Sequence, residues 1–282
     1  MENILILHGG AGGSLEVQNK NSEALRKIGK DASKMNTVEE IVIEAVRLME
    51  NDTRFNAGTG SVIRVDGSVQ MDAAVMSGNR FASVISIENV KNPILVARDV
   101  LNKSPHSILS GDGAIRFARK LGHDPYDPRT ERTMEVYRKM KEALDKNSQD
   151  ETARYSTFRK YADLYSDTVG AIARKDGNFA AAISTGGVLP MLRGRVGDCP
   201  LPGCGIYAGD KGAVAVSGNG EEIIRRMLSL SVYLEIGKKP LQEILDTHIS
   251  NFNSPTGIIA VSESEYSIVT NAYMATAVVD LL

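Results

Sequence analysis

The segment Ser166-Asp167-Thr168-Val169-Gly170-Ala171-Ile172-Ala173 lies well inside this chain of 282 residues. Its apolar Val169 and Ile172, separated by small residues, predict a buried strand that begins at an Asp-Thr pair. An ordinary strand with a surface threonine would have the same composition, because short motifs often match by chance. The eight residues alone therefore predict a strand and leave the role of Thr168 open.

The residues that follow this strand favour a functional site. Asp176-Gly177 is a two-residue hairpin signal, and a second apolar run, Phe179 to Ile183, ends at Ser184-Thr185-Gly186-Gly187. The strings Gly194-Arg195-Val196-Gly197-Asp198 and Ser217-Gly218-Asn219-Gly220-Glu221 come next. Hydroxyl groups, glycines and an Arg/Asp pair thus recur at predicted strand ends, as they do where loops on a rigid sheet form a site.

Composition and charge limit the class of protein. The chain has 33 Lys and Arg against 35 Asp and Glu, a formal net charge of −2 and no basic cluster, so we expect no nucleic-acid or membrane-surface partner. Its 42% of hydrophobic residues can form a sizeable core, yet no run approaches the ~18 apolar residues of a membrane span. Met1-Glu2-Asn3 carries no positive charge before its short apolar run, so we expect no secretory signal and a cytoplasmic location.

Cysteine and histidine usage favours neither a disulfide framework nor a metal centre. Cys199 and Cys204 lie in one Pro/Gly loop, where a disulfide is one option and two free thiols are the expected state in the cytosol. The four histidines form no close cluster with the cysteines, so we expect no structural zinc site.

Local signals predict several elements on either side of the opening segment. Thr37-x-x-Glu40 is a capping box and predicts a helix that ends near Glu50. The runs Ser61 to Val65 and Ser68 to Met76 flank Asp66-Gly67 and predict a β-hairpin.

Further along, a helix is predicted to begin at Asn92-Pro93 and another to run from Glu221 to Ile236. Between Asp127 and Ser166 the chain is charged with thin apolar stripes, which predicts one or two marginal helices and a mobile linker ending just before Thr168. Strands, helices and strands in succession are typical of two sheets with helices on their outer faces.

Together these strings resemble the plant-type asparaginases, also called isoaspartyl or β-aspartyl peptidases, a family of N-terminal nucleophile (Ntn) hydrolases. The resemblance runs from His8-Gly9-Gly10-Ala11-Gly12 through Phe55-Asn56-Ala57-Gly58 to the C-terminal strands. Its most specific part is Asp167-Thr168-Val169-Gly170, followed by the strings that contain Thr185 and Arg195. The resemblance implies one α/β domain over residues 1–282, folded as a four-layer αββα Ntn-hydrolase sandwich.

The resemblance also implies that Thr168 is the nucleophile and the first residue of a new chain. A threonine hydroxyl is a poor nucleophile unless a base accepts its proton, and an N-terminal α-amine with a pKa of about 7.7–8.0 is such a base. Thr168 is internal as encoded, so the hypothesis requires autocatalytic cleavage of the Asp167–Thr168 bond. The domain would then consist of an α subunit, residues 1–167, and a β subunit, residues 168–282.

By the same resemblance, four residues would assist Thr168 in catalysis. The Ser217 hydroxyl and the Gly218 N–H would stabilise the oxyanion, although the family usually has threonine where Ser217 stands. Thr185 would hydrogen-bond the nucleophile, and Asn56 would hold the freed amine. For Thr185 or Asn56 alone, a polar turn residue is the default interpretation.

Arg195 and Asp198 are the candidates for substrate binding. A free amino acid presents a carboxylate, which suits a bidentate arginine, and an ammonium group, which suits a carboxylate. A structural ion pair across a glycine turn would explain the same two residues. The resemblance favours substrate binding and adds backbone contacts from Gly218 and Gly220.

The resemblance further implies a structural sodium ion, a homodimer of cleaved protomers and no cofactor for catalysis. Sodium would be bound by backbone carbonyl groups in one loop, which leaves almost no side-chain signature. These are the carbonyl groups of Met49, Glu50, Asp52, Phe55, Ala57 and Thr59.

The leading hypothesis is an autoprocessed threonine hydrolase that cleaves the side-chain amide of L-asparagine and the isopeptide bond of β-aspartyl dipeptides. The alternatives within the superfamily are a glycosylasparaginase and a threonine endopeptidase. The alternative from another class is an uncleaved, catalytically weak homologue that acts as a binding protein, which Ser217 would allow. His8 and His106 are expected to be structural, because the chain has no G-x-S-x-G elbow.

Overall fold

Two β-sheets lie face to face, and helices cover both outer surfaces. A computed structural model describes residues 2–146 and 168–281. The elements of the first range are β1 (Ile4–Ala11), α1 (Leu15–Ala32), α2 (Val38–Glu50), β2 (Met71–Ser77), β3 (Arg80–Ile87), α3 (Pro93–Lys103), β4 (Ile108–Ser110), α4 (Gly111–Lys120) and α5 (Glu131–Lys146). Those of the second are β5 (Val169–Lys175), β6 (Asn178–Thr185), β7 (Ile206–Gly209), β8 (Gly212–Gly218), α6 (Gly220–Arg226), α7 (Leu228–Glu235), α8 (Leu241–Ile249), β9 (Thr256–Ser262), β10 (Tyr266–Thr270) and β11 (Met274–Asp280).

The larger sheet has the strand order β11-β1-β5-β6-β2-β3-β4, and the smaller sheet has the order β10-β9-β8-β7. Neighbouring strands are antiparallel except for β3 and β4, which are parallel. The first strand of the chain, β1, therefore lies between β11 and β5, both from the far side of residue 168.

Side-chain alternation along the strands produces the layers. Leu5 and Leu7 of β1 join the core between the large sheet and helices α1 to α3, whereas Ile4 and Ile6 join the core between the two sheets. Another core packs the small sheet against α7 and α8. The order helix, sheet, sheet, helix is that of a four-layer αββα sandwich, so the predicted fold is confirmed.

Two local predictions are confirmed in detail. Thr37 Oγ1 accepts a hydrogen bond from the Glu40 N–H at 3.2 Å, and the Glu40 carboxylate accepts one from the Thr37 N–H at 3.0 Å, so a capping box begins α2. Asp176 and Gly177 join β5 to β6 with φ angles of 53° and 75°. Both angles are positive, as a type I′ hairpin turn requires.

The hairpin predicted over residues 61–76 is wrong. Its second half contains β2, which pairs with β3 and β6, whereas residues 61–65 form a loop outside the sheets. The loop bonds elsewhere, since the Val65 N–H donates to the Met191 carbonyl at 3.0 Å. Arg64 is buried in this loop with only 1% of its surface exposed. The apolar run thus supports a neighbouring loop instead of forming a strand.

The single helix predicted from Glu221 to Ile236 is also wrong, because the chain forms two helices here, α6 and α7. Met227 separates them with φ 45° and ψ 52°, a left-handed conformation that ends α6. Its side chain is 46% exposed and is not part of an inward stripe. Strand β3 and helix α1 were not predicted from the sequence, although Ser14 caps α1 by accepting a hydrogen bond from the Val17 N–H.

Three further predictions concern cysteines, the linker and membranes. Cys199 and Cys204 are buried and free, which confirms the two free thiols. The predicted linker and Asp167 fall in residues 147–167, outside the described residues. Within the described ranges, every helix is too short or too polar to cross a membrane.

Candidate active site

Three hydroxyl-bearing residues lie toward one end of the space between the two sheets, and two of them, Thr168 and Thr185, are in contact. Thr168 directly precedes β5, and the antiparallel register of β5 with β6 brings it next to Thr185. Ser217 approaches from β8 of the smaller sheet. Each lies an even number of residues from a member of the inter-sheet core, so all three side chains face that space.

The Thr168 hydroxyl has a fixed partner. Its Oγ1 donates a hydrogen bond to Thr185 Oγ1 at 3.2 Å, and Thr185 Oγ1 also accepts one from the Gly187 N–H at 2.9 Å. Because a hydroxyl oxygen has two acceptor lone pairs, these bonds fill the acceptor capacity of Thr185. The arrangement holds the Thr168 oxygen in a half-buried position at the strand end.

The Ser217 hydroxyl can donate a hydrogen bond into the site. Its Oγ accepts a hydrogen bond from the Ala11 N–H at 3.0 Å, so its own O–H is left to act as a donor. The next residue must be glycine, because a Cβ on Gly218 would lie 2.8 Å from the Pro255 carbonyl oxygen and 2.9 Å from Thr256 Oγ1. The glycine-rich end of β1 thus supports the β8 end, where the two predicted oxyanion donors lie.

Arg195 forms an ion pair with Glu221, not with Asp198. Its Nε lies 2.8 Å from Glu221 Oε1, and its Nη2 lies 2.9 Å from Glu221 Oε2. The simple alternative of a structural pair between Arg195 and Asp198 is therefore wrong. The Arg195 side chain is 17% exposed, so the guanidinium group lies at the edge of the protein rather than in its core.

Asp198 is a buried carboxylate beside this guanidinium group. It is 5% exposed, and its Oδ2 has no hydrogen-bond partner among the described residues. Burial raises the pKa of Asp198 to about 7, while the nearby charge of Arg195 lowers it. Gly220 makes room for both groups, because a Cβ there would lie 2.7 Å from Arg195 Nη2 and 2.9 Å from Asp198 Oδ1. A cation and an incompletely paired anion thus converge on Gly220.

Asn56 lies behind the loop that follows Thr185. Its Nδ2 donates to the Gly187 carbonyl at 2.6 Å, and its Oδ1 accepts from the Val62 N–H at 2.9 Å. The Asn56 carbonyl also accepts from the Gly186 N–H at 2.8 Å. The side chain therefore joins two loops, and Oδ1 keeps one acceptor lone pair for a further donor such as an amine.

His8 lies directly across from the start of β5. It is fully buried, and both ring nitrogens lack a hydrogen-bond partner in the described part of the chain. Burial lowers the pKa of His8 to about 4, and the Thr168 backbone acts in the opposite direction. The imidazole occupies the space where a side chain on its register partner Gly170 would stand. A neutral, packed histidine fits the structural role predicted for it.

Three charged residues near the site were not predicted from the sequence. Arg64 is 1% exposed and Asp72 is 2% exposed, and both lie close to Arg195. Glu221 was noted only as part of a motif, without a role. A signal was present for two of them, because each stands as a lone charge within an apolar run, Val62-Ile63-Arg64 and Met71-Asp72-Ala73-Ala74.

The carbonyl groups predicted to bind sodium belong to one loop at the end of α2. Three of them accept loop hydrogen bonds: Glu50 from the Thr59 N–H at 2.8 Å, Asp52 from the Phe55 N–H at 3.1 Å and Met49 from the Asp52 N–H at 3.1 Å. A carbonyl oxygen has two lone pairs, so those of Glu50 and Asp52 each keep one for a hard cation, whereas the Met49 carbonyl also accepts from the Asn51 N–H. Among the described residues, no group of three or more His, Cys, Asp and Glu side chains is suited to a metal ion.

Related proteins are similar to this chain along most of its length. The sequence profile of a family described as asparaginase matches residues 1–278. A plant-type L-asparaginase of Pyrococcus horikoshii is 38% identical over 233 residues, which cover 80% of this chain and 76% of that protein. An isoaspartyl peptidase/L-asparaginase of Danio rerio is 38% identical over 250 residues, 84% of this chain and 77% of that protein. An isoaspartyl peptidase of Salmonella typhimurium is 36% identical over 252 residues, with coverage of 81% and 77%.

Proposed function

The chain belongs to the asparaginase family, and on this basis we propose that it is an amidohydrolase that cleaves the side-chain amide of L-asparagine and the isopeptide bond of β-aspartyl dipeptides. Relatives named for each of these activities have similar identity to the chain. Both reactions break an amide bond at the same β-carbonyl carbon and release ammonia or an amine. One site for the aspartyl half therefore serves both substrates.

The contact between Thr168 and Thr185 is the observation that carries this proposal. A threonine hydroxyl at a strand end, 3.2 Å from a second hydroxyl that orients it, supports the assignment of Thr168 as the nucleophile. In the proposed maturation, Thr168 Oγ1 attacks the carbonyl carbon of Asp167, and the C–N bond breaks as the acyl group moves from nitrogen to oxygen. Water then hydrolyses the ester, which leaves a carboxylate on Asp167 and a free α-amine on Thr168.

The mature Thr168 amine then acts as the base for its own hydroxyl. The Thr168 oxygen attacks the β-carbonyl carbon of the substrate, and the leaving nitrogen receives the proton from the amine. Water hydrolyses the resulting β-aspartyl ester and regenerates the hydroxyl. Negative charge on the carbonyl oxygen is stabilised by the Ser217 O–H and the Gly218 N–H, each contributing about 3 kcal/mol by comparison with known oxyanion holes.

The groups around Gly220 suit the amino-acid head of the substrate. Arg195 would bind the α-carboxylate through the N–H groups that Glu221 does not use, and Asp198 would bind the α-ammonium through its unpartnered Oδ2. Gly218 and Gly220 would add backbone contacts. In this proposal the α-carboxylate of the substrate binds at the partly exposed Arg195, and its α-ammonium group binds at the buried Asp198.

A sodium ion and a dimer complete the proposal. The carbonyl groups between Met49 and Thr59 would hold the ion, whose contribution would be to fix the loop that carries Asn56. The ion takes part in no chemical step. The active form would be a homodimer of cleaved protomers.

The test is the intact mass of the purified protein after incubation at neutral pH, with Thr168→Ala as the control. We expect the 30.5 kDa chain to give two fragments that meet at the Asp167–Thr168 bond, and the control to remain whole. The processed protein is then assayed for ammonia release from L-asparagine and for leucine release from β-Asp-Leu. A single lasting mass without either activity would contradict the proposal and favour a binding protein. Hydrolysis of a glycosylated asparagine alone would favour a glycosylasparaginase.

A further inference from the structure

A buried arginine that is not among the proposed substrate-binding groups supports the turn that ends at Arg195. This turn runs from Leu192 to Arg195 and is closed by a hydrogen bond from the Arg195 N–H to the Leu192 carbonyl at 3.2 Å. Gly194 occupies its third position with φ 84°, where glycine is favoured. Arg64 Nη1 donates to the Leu192 carbonyl at 2.6 Å, and both Nη1 and Nη2 donate to the Arg195 carbonyl at 3.1 Å.

A second residue of the same segment supports the middle of the turn. The Gln70 side chain accepts a hydrogen bond from the Gly194 N–H at 2.8 Å, and the Gln70 carbonyl lies 3.4 Å from Arg64 Nη2. The loop before β2 therefore contacts each part of the turn from inside the protein. A guanidinium group holds its N–H donors in one rigid plane, so it fixes the two carbonyl groups in one geometry, whereas the three donors of an ammonium group rotate freely.

A nearby carboxylate, that of Asp72, offsets the cost of burying the charged Arg64, which is 1% exposed. Burial lowers the pKa of Arg64 to about 10, although the nearby negative charge of Asp72 raises it. Arg64 is therefore still protonated at neutral pH. Asp72 also lies near Arg195, and both arginines lower the pKa of Asp72 against the effect of burial. The buried carboxylate is a shared counter-ion for the two arginines.

Arg195 is consequently held at both ends, by Arg64 at its backbone carbonyl and by Glu221 at its guanidinium group. We propose that Arg64 is a positioning residue that sets Arg195 for binding the α-carboxylate of the substrate. This inference rests on the proposed function, because it assigns Arg64 a role in recognising the substrate of that same site. Arg64 touches neither Thr168 nor the proposed oxyanion donors, so its role is in affinity for the carboxylate and not in the chemical step.

The experiment compares Arg64→Lys and Arg64→Met with wild type in the full, processed chain. The matched control is Arg193→Met, on the same turn, where the arginine is 54% exposed and pairs with Asp66 and Glu88. Two substrates are used: L-asparagine and 3-aminopropanamide, which keeps the amine and the amide but lacks the α-carboxylate. Dissociation constants for L-aspartate and β-alanine are measured by calorimetry on the same preparations.

In both Arg64 variants we expect the KM for asparagine and the Kd for aspartate to rise about tenfold, which is the loss of one charge-assisted contact. The kcat for asparagine, the kcat/KM for 3-aminopropanamide and the rate of self-cleavage should stay within about twofold of wild type. Arg193→Met should change none of these values by more than that.

The inference would be overturned if kcat/KM fell equally for asparagine and 3-aminopropanamide, or if kcat fell at unchanged KM. Arg64 would then be a structural residue. If Arg64→Met does not fold, Arg64→Lys decides, because it keeps the charge and loses only the fork. Failure of wild type to cleave itself or to hydrolyse asparagine would reject the proposed function. The aspartate titration would then still decide the inference, because a wild type that binds aspartate no better than the Arg64 variants contradicts it.

Discussion

The carboxylate of Glu221 meets the guanidinium group of Arg195 at two points, with oxygen–nitrogen distances of 2.8 Å at Nε and 2.9 Å at Nη2. A guanidinium group has five N–H donors in one plane, and Nη1 also donates to Met191 Sδ at 3.9 Å, so one Nη1 proton and one Nη2 proton are left for a ligand. Glu221 therefore fixes the plane of the group without filling the edge that a substrate carboxylate would use.

Replacing Glu221 by glutamine tests this orientation. We expect Glu221→Gln to raise the KM for asparagine about three- to tenfold with little change in kcat, because Arg195 loses a charge-assisted partner at a partly exposed site. Steady-state kinetics at two salt concentrations measure the effect. A fall in KM would mean instead that Glu221 competes with the substrate for Arg195.

Asp198 predicts a pH dependence of substrate affinity. Its pKa is raised to about 7 by burial, so the carboxylate becomes protonated as the pH falls through 7 and loses its attraction for an ammonium group. The Kd for L-aspartate should therefore rise about tenfold per pH unit well below 7. This binding constant is the measurement because protonation of the Thr168 amine would also lower kcat/KM. A profile that is flat between pH 5.5 and 7 would contradict this role of Asp198.

The same pKa predicts an effect on stability. A carboxyl group whose pKa is higher in the folded protein destabilises it as the pH rises from the unfolded value to the folded one. Asp198→Asn removes this cost, so its Tm should exceed that of wild type at pH 8, by about 2–4 °C for each kcal/mol. Near pH 4 the two proteins should melt together, and calorimetric scans at both pH values check this.

A side chain added at Gly170, two residues after Thr168, should clash with His8. A Cβ at this position would overlap the ring of His8, so Gly170→Ala should lower the free energy of unfolding by about 1–3 kcal/mol and slow self-cleavage. Gly113→Ala in α4 is the matched control, because it has open space around it. Urea denaturation of both variants, made on a Thr168→Ala background to prevent cleavage, gives the comparison. Equal stabilities would show that His8 moves without cost.

Substitutions of Ser217 measure how much one oxyanion donor contributes to kcat. Ser217→Ala should lower kcat about 100-fold, since it removes a donor to developing negative charge. Ser217→Thr retains the hydroxyl and adds a methyl group that restricts its rotamers, so its kcat should be at least that of wild type. Kinetics on pre-cleaved protein separate this effect from maturation. A kcat for Ser217→Ala close to wild type would remove Ser217 from the oxyanion site.

Local signals predicted individual turns and helix ends, whereas the family resemblance predicted the four-layer architecture and the centre of the site. The capping box at Thr37 and the hairpin turn at Asp176-Gly177 depend on residues adjacent in sequence, and both form as predicted. Thr185 was identified through the family resemblance, because on local signals alone it is an ordinary polar turn residue. Its contact with Thr168 then follows from the register of a single hairpin.

Long-range contacts account for most of what was missed. Arg64 bonds to carbonyl groups 128 and 131 residues away, and its position as a lone charge in an apolar run does not indicate which distant groups it bonds. The same contact explains why residues 61–65 do not form a strand, since their polar groups are used by another loop. The break at Met227 depends on a left-handed residue that is not glycine, which sequence preference disfavours.

The placement of β1 between β11 and β5 has a consequence for the protein after maturation. A cut before Thr168 would leave the central sheet woven from two polypeptides, and neither could complete it alone. Reassembly from the denatured state would then require two molecules to meet, so its yield would depend on concentration. The working lifetime of the mature protein would be set by how slowly this woven sheet comes apart and not by an equilibrium between folded and unfolded forms.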